Sequence, residues 1–127
     1  MKIRQSLLDS MAIGASFACM IHCLGMPLLL AALPAFAQIA DIPESFHIVM
    51  LAIAVPTSAL ALVRGYRIHG AGIPLTLGLV GISLLSSGAF WSETELSETG
   101  LTVLGSLTLA VAHIGNWRRS ERKLYAA

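Results

Sequence analysis

Four long stretches without Asp, Glu, Lys or Arg limit what this chain can fold into. They cover residues 10–40, 45–63, 68–91 and 99–117. A helix that crosses a hydrocarbon core of about 30 Å needs roughly 20 residues, so each stretch is close to or above that length. Hydrophobic residues form 56% of the chain and charged residues only 12%, which is unusual for a soluble domain. The pattern predicts four membrane-spanning helices.

The charged residues outside these stretches are sorted by sign. All eight Lys and Arg residues lie before the first stretch, between the second and the third, or after the fourth. The other two connections carry only acidic charges, such as Asp41 and Glu93. Positive residues collect on the cytoplasmic side of membrane proteins. We therefore predict an all-α, integral membrane four-helix bundle, N-in and C-in, multi-pass in the inner membrane, with residues 1–127 as a single domain.

Two cysteines and a histidine stand together in the first stretch. Cys19, His22 and Cys23 are three and four residues apart, so a helix places their side chains on one face. Two sulfurs and an imidazole that converge in this way form a candidate site for a soft or borderline metal ion. Ligating groups inside a membrane span are costly, which favours a functional role over simple packing.

The remaining candidate ligands fall into two groups by depth. Cys23 lies about 20 Å along the helix from Asp9, at about 1.5 Å per residue. Glu44 and His47 enter from the outer side and are predicted to receive a cation for the cysteines. Asp9 and His113 lie at the cytoplasmic end, where we predict that they release it inward. The same end also holds His69 and Asn116.

Polar and small side chains recur at helical spacing in three of the stretches and predict faces that point into the bundle. On the helix predicted from the first stretch and the residues just before it they are Asp9, Ala12, Ser16, Cys19, Cys23 and Met26. On the second they are His47, Met50, Ala54 and Ser58. On the fourth they are Thr102, Ser106, Leu109, His113 and Asn116. The third stretch is rich in glycine and serine, which predicts close helix packing and offers a surface for a homodimer.

Several short motifs occur in an order that resembles the MerC mercuric-transport family. They are Cys-x-x-His-Cys in the first stretch, Ser-Phe-His at the start of the second, Arg-Gly-Tyr-Arg-Ile-His in the inner loop and Ala-His-Ile-Gly-Asn at the end of the fourth. The resemblance covers nearly the whole chain. It implies an inner-membrane protein, not an enzyme, that takes up mercuric ion through a cysteine pair. That pair maps to Cys19 and Cys23.

The chain departs from the best-known members of that family in ways that leave the metal open. Its C-terminal tail carries no cysteine pair, and His22 stands between the two thiols. Hg(II) is satisfied by two thiolates, whereas added imidazole and carboxylate ligands also suit Zn(II). The divalent ion, Hg²⁺ or Zn²⁺, is then the cargo, and no permanently bound cofactor is expected.

Other interpretations compete with metal transport. The first stretch resembles a secretory signal peptide, although it is long for one and Asp9 interrupts its start. The cysteines suit a membrane thiol-disulfide/quinone oxidoreductase, but Cys-x-x-x-Cys within a helix is poorly placed for disulfide exchange. A haem held by two histidines is a further alternative. Each candidate also has an ordinary role open to it: buried packing for the cysteines, a helix start for Asp9 and an interhelical hydrogen bond for His113.

The sequence contains no motif that supports another class of partner or reaction. Phosphate-binding loops are absent, and so is a Ser-His-Asp ordering in a suitable context. No basic patch interleaved with aromatic residues points to nucleic acid. The basic C-terminal run suits an anchor at the lipid bilayer.

The segregation of positive charge gives a testable topology. Single cysteines at Gln38, Ser97 and Gly70, placed in a background without Cys19 and Cys23, are labelled with a membrane-impermeant thiol reagent. We expect the first two to react from the outer side and Gly70→Cys only after the cells are opened, because the positive loops stay inside. A reporter at Ala127 found outside would contradict the four-span arrangement.

Overall fold

The computed structural model describes residues 2–32 and 45–126, and this part of the chain is helical. The helices are α1 (Lys2–Ala32), α2 (Ser45–His69), α3 (Ile73–Trp91) and α4 (Glu95–Ala126). No strand occurs among these residues, so the all-α prediction with four helices is confirmed. Asp9 lies two turns inside α1, not at its start, which excludes the helix-start role.

The last helix holds the assembly together. α4 packs against each of the other three helices, most extensively against α3 and then α1. α2 contacts α1, α3 and α4. In this arrangement the polar face of α4 points toward the polar faces of both α1 and α2.

Glycines bring the backbones of α3 and α4 into direct contact. A Cβ atom on Gly105 would lie 2.9 Å from the carbonyl oxygen of Gly81 and 3.0 Å from the amide nitrogen of Leu85. Gly88 faces Thr102 of α4 in a similar way. These close approaches agree with the predicted packing role of the third helix. Because its glycines are buried within the chain, a homodimer through α3 would use other faces, and it stays a prediction.

The distribution of polarity is the reverse of that in a soluble protein. In the described part of the chain, the most deeply buried large side chains are polar, among them His113, Asn116 and Asp9. Large apolar side chains such as Ile53 and Leu79 are instead more than half exposed. A soluble domain rarely exposes contiguous apolar surface of this kind, so the outer surface suits lipid.

Two of the described helices are long and apolar enough to cross a membrane. They are Ile48–His69 and Ile73–Trp91. α1 contributes a shorter apolar segment, Ser6–Ile21. The membrane crossing of α1 and α4, and with it the four-span topology and its orientation, therefore remains a prediction.

Short, well-defined turns fix how the helices follow one another. Gly70 adopts a φ of 71°, which favours glycine, and its N–H donates to the Tyr66 carbonyl at 2.7 Å. At the start of α4, the Ser97 N–H donates to Thr94 Oγ1 at 3.2 Å, while the Thr94 N–H donates to Ser97 Oγ at 3.3 Å. This reciprocal pair has the pattern of a capping box.

Replacement of Gly105 by alanine tests the contact between α3 and α4. The added methyl group contacts backbone atoms, which cannot move aside as a side chain can by changing its rotamer. We therefore expect a loss of about 1–3 kcal/mol in the free energy of unfolding. Gly100→Ala, on the same helix, is the matched control, because nothing lies within 4 Å of its Cβ position. Unfolding in mixed detergent, followed by circular dichroism, gives both values. Equal stabilities of the two variants would contradict the close contact.

Candidate functional site

A buried carboxylate connects α1 to α4. Asp9 Oδ1 lies 2.9 Å from Nδ1 of His113, and Asn116 Nδ2 donates to both carboxylate oxygens at 3.0 Å. All three side chains have no exposed surface. Because Asn116 donates to both oxygens, the carboxylate acts as an acceptor here, and His113 donates to it through Nδ1–H. Asp9 is therefore held by hydrogen bonds from two side chains one helical turn apart on α4.

The orientation of Asn116 is fixed from both ends. The Ala71 N–H donates to His69 Nδ1 at 3.0 Å, so the proton of a neutral His69 is on Nε2. That nitrogen lies 3.0 Å from Asn116 Oδ1, which accepts the bond. The Asn116 amide nitrogen then donates to Asp9 and, at 3.2 Å, to the Ala61 carbonyl. One network thus runs from the turn after α2, through α4, to α1.

A glycine on α2 makes room for this network. A Cβ atom on Gly65 would overlap the amide group of Asn116. Gly65 is buried and lies one helical turn after Ala61, whose carbonyl accepts from the same amide. The last turns of α2, which the sequence predicted as part of the inner loop, therefore carry a glycine here because the asparagine must approach the α2 backbone.

Ser58, His113 and Asp9 are arranged in the order of a catalytic triad. His113 Nε2 lies 3.2 Å from Ser58 Oγ, on the opposite side of the ring from Asp9. The sequence does not show this ordering, because the three residues come from three helices. Ser58 is nonetheless a poor nucleophile, since it lies inside α2, where the neighbouring backbone N–H groups are used by the helix and cannot form an oxyanion hole. The array suits proton or ligand positioning better than acyl transfer.

Above Ser58 lies a cavity of about 270 Å³ between the four helices. Small apolar side chains and hydroxyl groups line most of it. Its wall consists of Ala12, Ala15, Ser16, Ala18, Cys19, Met50, Leu51, Ala54, Ser58, Leu85, Ala89, Thr102, Ser106 and Leu109. Ala15, Ala18 and Met50 are exposed, which places the mouth of the cavity between α1 and α2.

The lining confirms the predicted polar faces where their residues are described. Ser16 of α1, Ser58 of α2 and Ser106 of α4 all reach the cavity, as helical spacing predicts. Cys19 lies on the same wall and is half-buried. One candidate metal ligand therefore faces the same space as the hydroxyl group that bonds His113.

The other candidates divide into a pair that meets and a set that is not described. The structure brings Asp9 and His113 into contact, as their common depth suggests, but their role as metal ligands stays a prediction. The side chains of His22, Cys23 and His47, and Glu44 as a whole, lie outside the described residues. Among the residues that are described, no group of three His, Cys, Asp or Glu side chains is arranged to hold a metal ion.

Sequence reasoning missed two features of the site. Ser58 belongs to a predicted polar face, yet nothing in its position indicates a bond to His113. Gly65 was identified only as part of the inner loop. The available signal was the periodic spacing of Ser58 within α2, which predicts an inward face but not a partner.

Comparison with known proteins identifies a family for this arrangement. The family model described as MerC mercury resistance protein matches residues 9–118. This match confirms the resemblance carried by the short motifs. No curated protein and no solved structure matches the chain.

Asn116→Ala tests whether the buried network stabilises the fold. The change removes the amide that donates to both oxygens of Asp9, so we expect the free energy of unfolding in detergent to fall by about 1–3 kcal/mol. Thr108→Val is the control, because the Thr108 hydroxyl bonds the Leu104 carbonyl of its own helix at 2.7 Å. A loss for Asn116→Ala no larger than for the control would show that the network contributes little.

Proposed function

The chain belongs to the MerC mercury resistance family, and from that premise we propose that it takes up mercuric ion across the inner membrane. The family is one of membrane transport rather than of enzymes. In the proposed topology all four helices cross the membrane, with both termini in the cytoplasm. The segregation of Lys and Arg and the exposed apolar surface support this arrangement.

The contact of Cys19 with the cavity carries the proposal. Cys19 lies about 15 Å along α1 from Asp9, at about 1.5 Å per residue. The cavity extends from this thiol to Ser58, and Ser58 bonds His113 at 3.2 Å. A thiol, a sheltered space and a buried imidazole thus follow one another along the bundle. This order is what a path for a soft metal ion requires.

The thiol end would capture the metal. α1 continues unbroken past Cys19 to Ala32, so Cys23 follows Cys19 by one helical turn. Two thiolates suffice for Hg(II), which favours few, soft ligands. His22 lies between them in sequence, and Glu44 and His47 are the groups proposed to deliver the ion from the outer side.

The network end would receive the metal. His113 Nε2 bonds Ser58, which lines the cavity, so its partner there is a neutral hydroxyl group rather than a charged one. A metal ion can displace that hydroxyl while Asp9 still holds the ring through Nδ1. A carboxylate behind a histidine ligand fixes the tautomer and the orientation of its ring. Asp9 would act in this way, and release toward the cytoplasm would follow.

Removal of the thiols tests the capture step. Cys19→Ser and Cys23→Ser are each expected to weaken Hg(II) binding to the purified protein at least tenfold, about 1.4 kcal/mol in affinity. Cells that express the parent protein should be hypersensitive to Hg(II), and cells with the double variant should not. Thr108→Val, which leaves the thiols intact, should behave as the parent. Unchanged binding and sensitivity in the double variant would reduce the cysteines to packing residues.

Histidine variants separate mercury from zinc as the cargo. If two thiolates carry the site, His22→Ala and His47→Ala leave Hg(II) binding largely intact, since Hg(II) needs no imidazole. A site built for Zn(II) would instead lose Zn(II) binding in each variant, because zinc uses four ligands. Isothermal titration of each metal distinguishes the two. Stoichiometric Zn(II) binding that depends on both histidines would overturn the mercuric assignment.

A further inference from the structure

Three hydroxyl groups in the cavity wall have no hydrogen-bond partner among the described residues. Ser16 and Thr102 are 6% exposed and Ser106 is 2% exposed, and all three line the cavity. None of them makes a hydrogen bond to another residue in the described part of the chain. They are not among the fully enclosed polar atoms without a partner, so their oxygens are open to the cavity. The three groups are therefore placed to bond something that occupies the cavity.

Other hydroxyl groups, on α3 and α4, behave differently. Ser83 Oγ donates to the Leu79 carbonyl at 2.8 Å, Ser87 to Ser83 at 2.9 Å and Thr108 to Leu104 at 2.7 Å. Each hydroxyl group donates to a backbone carbonyl of its own helix, as serine and threonine commonly do. The cavity hydroxyls have the same option and do not use it. This difference marks the cavity as a binding site rather than a packing defect.

The described wall of the cavity supplies hydrogen-bond donors but no charged side chain. Its lining contains no Asp, Glu, Lys, Arg or His among the described residues. Asp9 is not part of that wall, and its carboxylate already accepts bonds from His113 and Asn116. A bare divalent cation without a counter-charge would lose its hydration at great cost here.

We propose that the cavity binds the metal as a neutral complex that carries two anionic ligands, such as a dichloride or a small dithiolate. The ligand atoms would accept hydrogen bonds from Ser16, Thr102 and Ser106, while the alanine and leucine wall contacts the rest of the complex. This proposal rests on the proposed function and specifies the form in which the cargo travels. A linear three-atom complex fits easily into about 270 Å³, a volume that also holds several water molecules.

The proposal assigns metal selection to the cavity as well as to the thiols. Hg(II) forms neutral two-coordinate complexes with chloride. Zn(II) at moderate chloride keeps its charge and its water. A wall that presents hydroxyl donors and, among its described residues, no carboxylate therefore favours the first over the second, whichever ligands capture the metal at the surface.

The test measures binding to the cavity alone. A Cys19→Ala/Cys23→Ala variant in lipid nanodiscs is dialysed against radiolabelled mercuric chloride, and binding to empty nanodiscs is subtracted. Ser16→Ala, Thr102→Val and Ser106→Ala are added singly and together. We expect about a threefold loss of affinity for each hydroxyl group and roughly tenfold or more for the triple variant.

A second triple variant is the matched control. Ser83→Ala/Ser87→Ala/Thr108→Val removes the same chemical groups from outside the cavity and should bind as the cysteine-free parent does. Higher chloride, which converts the neutral complex into anionic ones, should weaken binding, and zinc chloride should not bind. Equal affinities of the two triple variants, or equal binding of zinc, would overturn the proposal. Uptake of Hg(II) that does not require Cys19 and Cys23 would instead contradict the proposed function. The cavity measurement, made without these thiols, does not depend on that result.

Discussion

The carboxylate of Asp9 is the group on which the arrangement of this bundle depends. A buried carboxylate among apolar helices is tolerated only when donors surround it. His113 and Asn116 supply those donors from one face of α4, and both are fully buried with it. Loss of either partner removes part of that compensation, so the rotation of α4 relative to α1 has little freedom. The same network reaches α2 through the Ala61 carbonyl.

The rest of the inner end follows from the need to bring Asn116 close to Asp9. Gly65 lacks a side chain where the amide approaches α2, and the turn at Gly70 places the Ala71 N–H on His69. His69 then fixes which way the amide points. These residues come from a turn and two helices, and each one helps to position the next. A continuous polar network of this kind specifies one packing of the helices rather than several.

On the outer side of the network, the distances between the helices differ from one pair to another. α3 and α4 approach closely at Gly81 and Gly105, whereas α1 and α2 leave a cavity beside Cys19. Tight contact on one side and open space on the other give the bundle both a rigid half and a cavity. In the proposed function, the hydroxyl groups in that cavity are uncharged donors, and the His113 imidazole is the first strong ligand on the inner side. A soft metal that leaves a thiol would therefore meet weak contacts before a strong one, which favours passage over permanent binding.

The sequence by itself determined the helices, their inward faces and the family. Charge-free length and helical spacing are local properties, so they predicted α1 to α4 and placed Ser16, Ser58 and Ser106 on interior faces. The short motifs around Cys19 and His113 predicted the MerC family, which the family match confirmed. Asp9 and His113 could also be assigned a common depth from residue counts alone.

Only the tertiary structure decided which of these groups meet. Asp9 and His113 are 104 residues apart in the chain, and spacing within a helix says nothing about how far one helix is rotated against another. That rotation is set by contacts between helices, such as Gly65 with Asn116 and Gly81 with Gly105. The same contacts left Ser16, Thr102 and Ser106 facing open space instead of their own helix carbonyls. Local sequence thus selects the face of each helix, and packing between helices selects the partners.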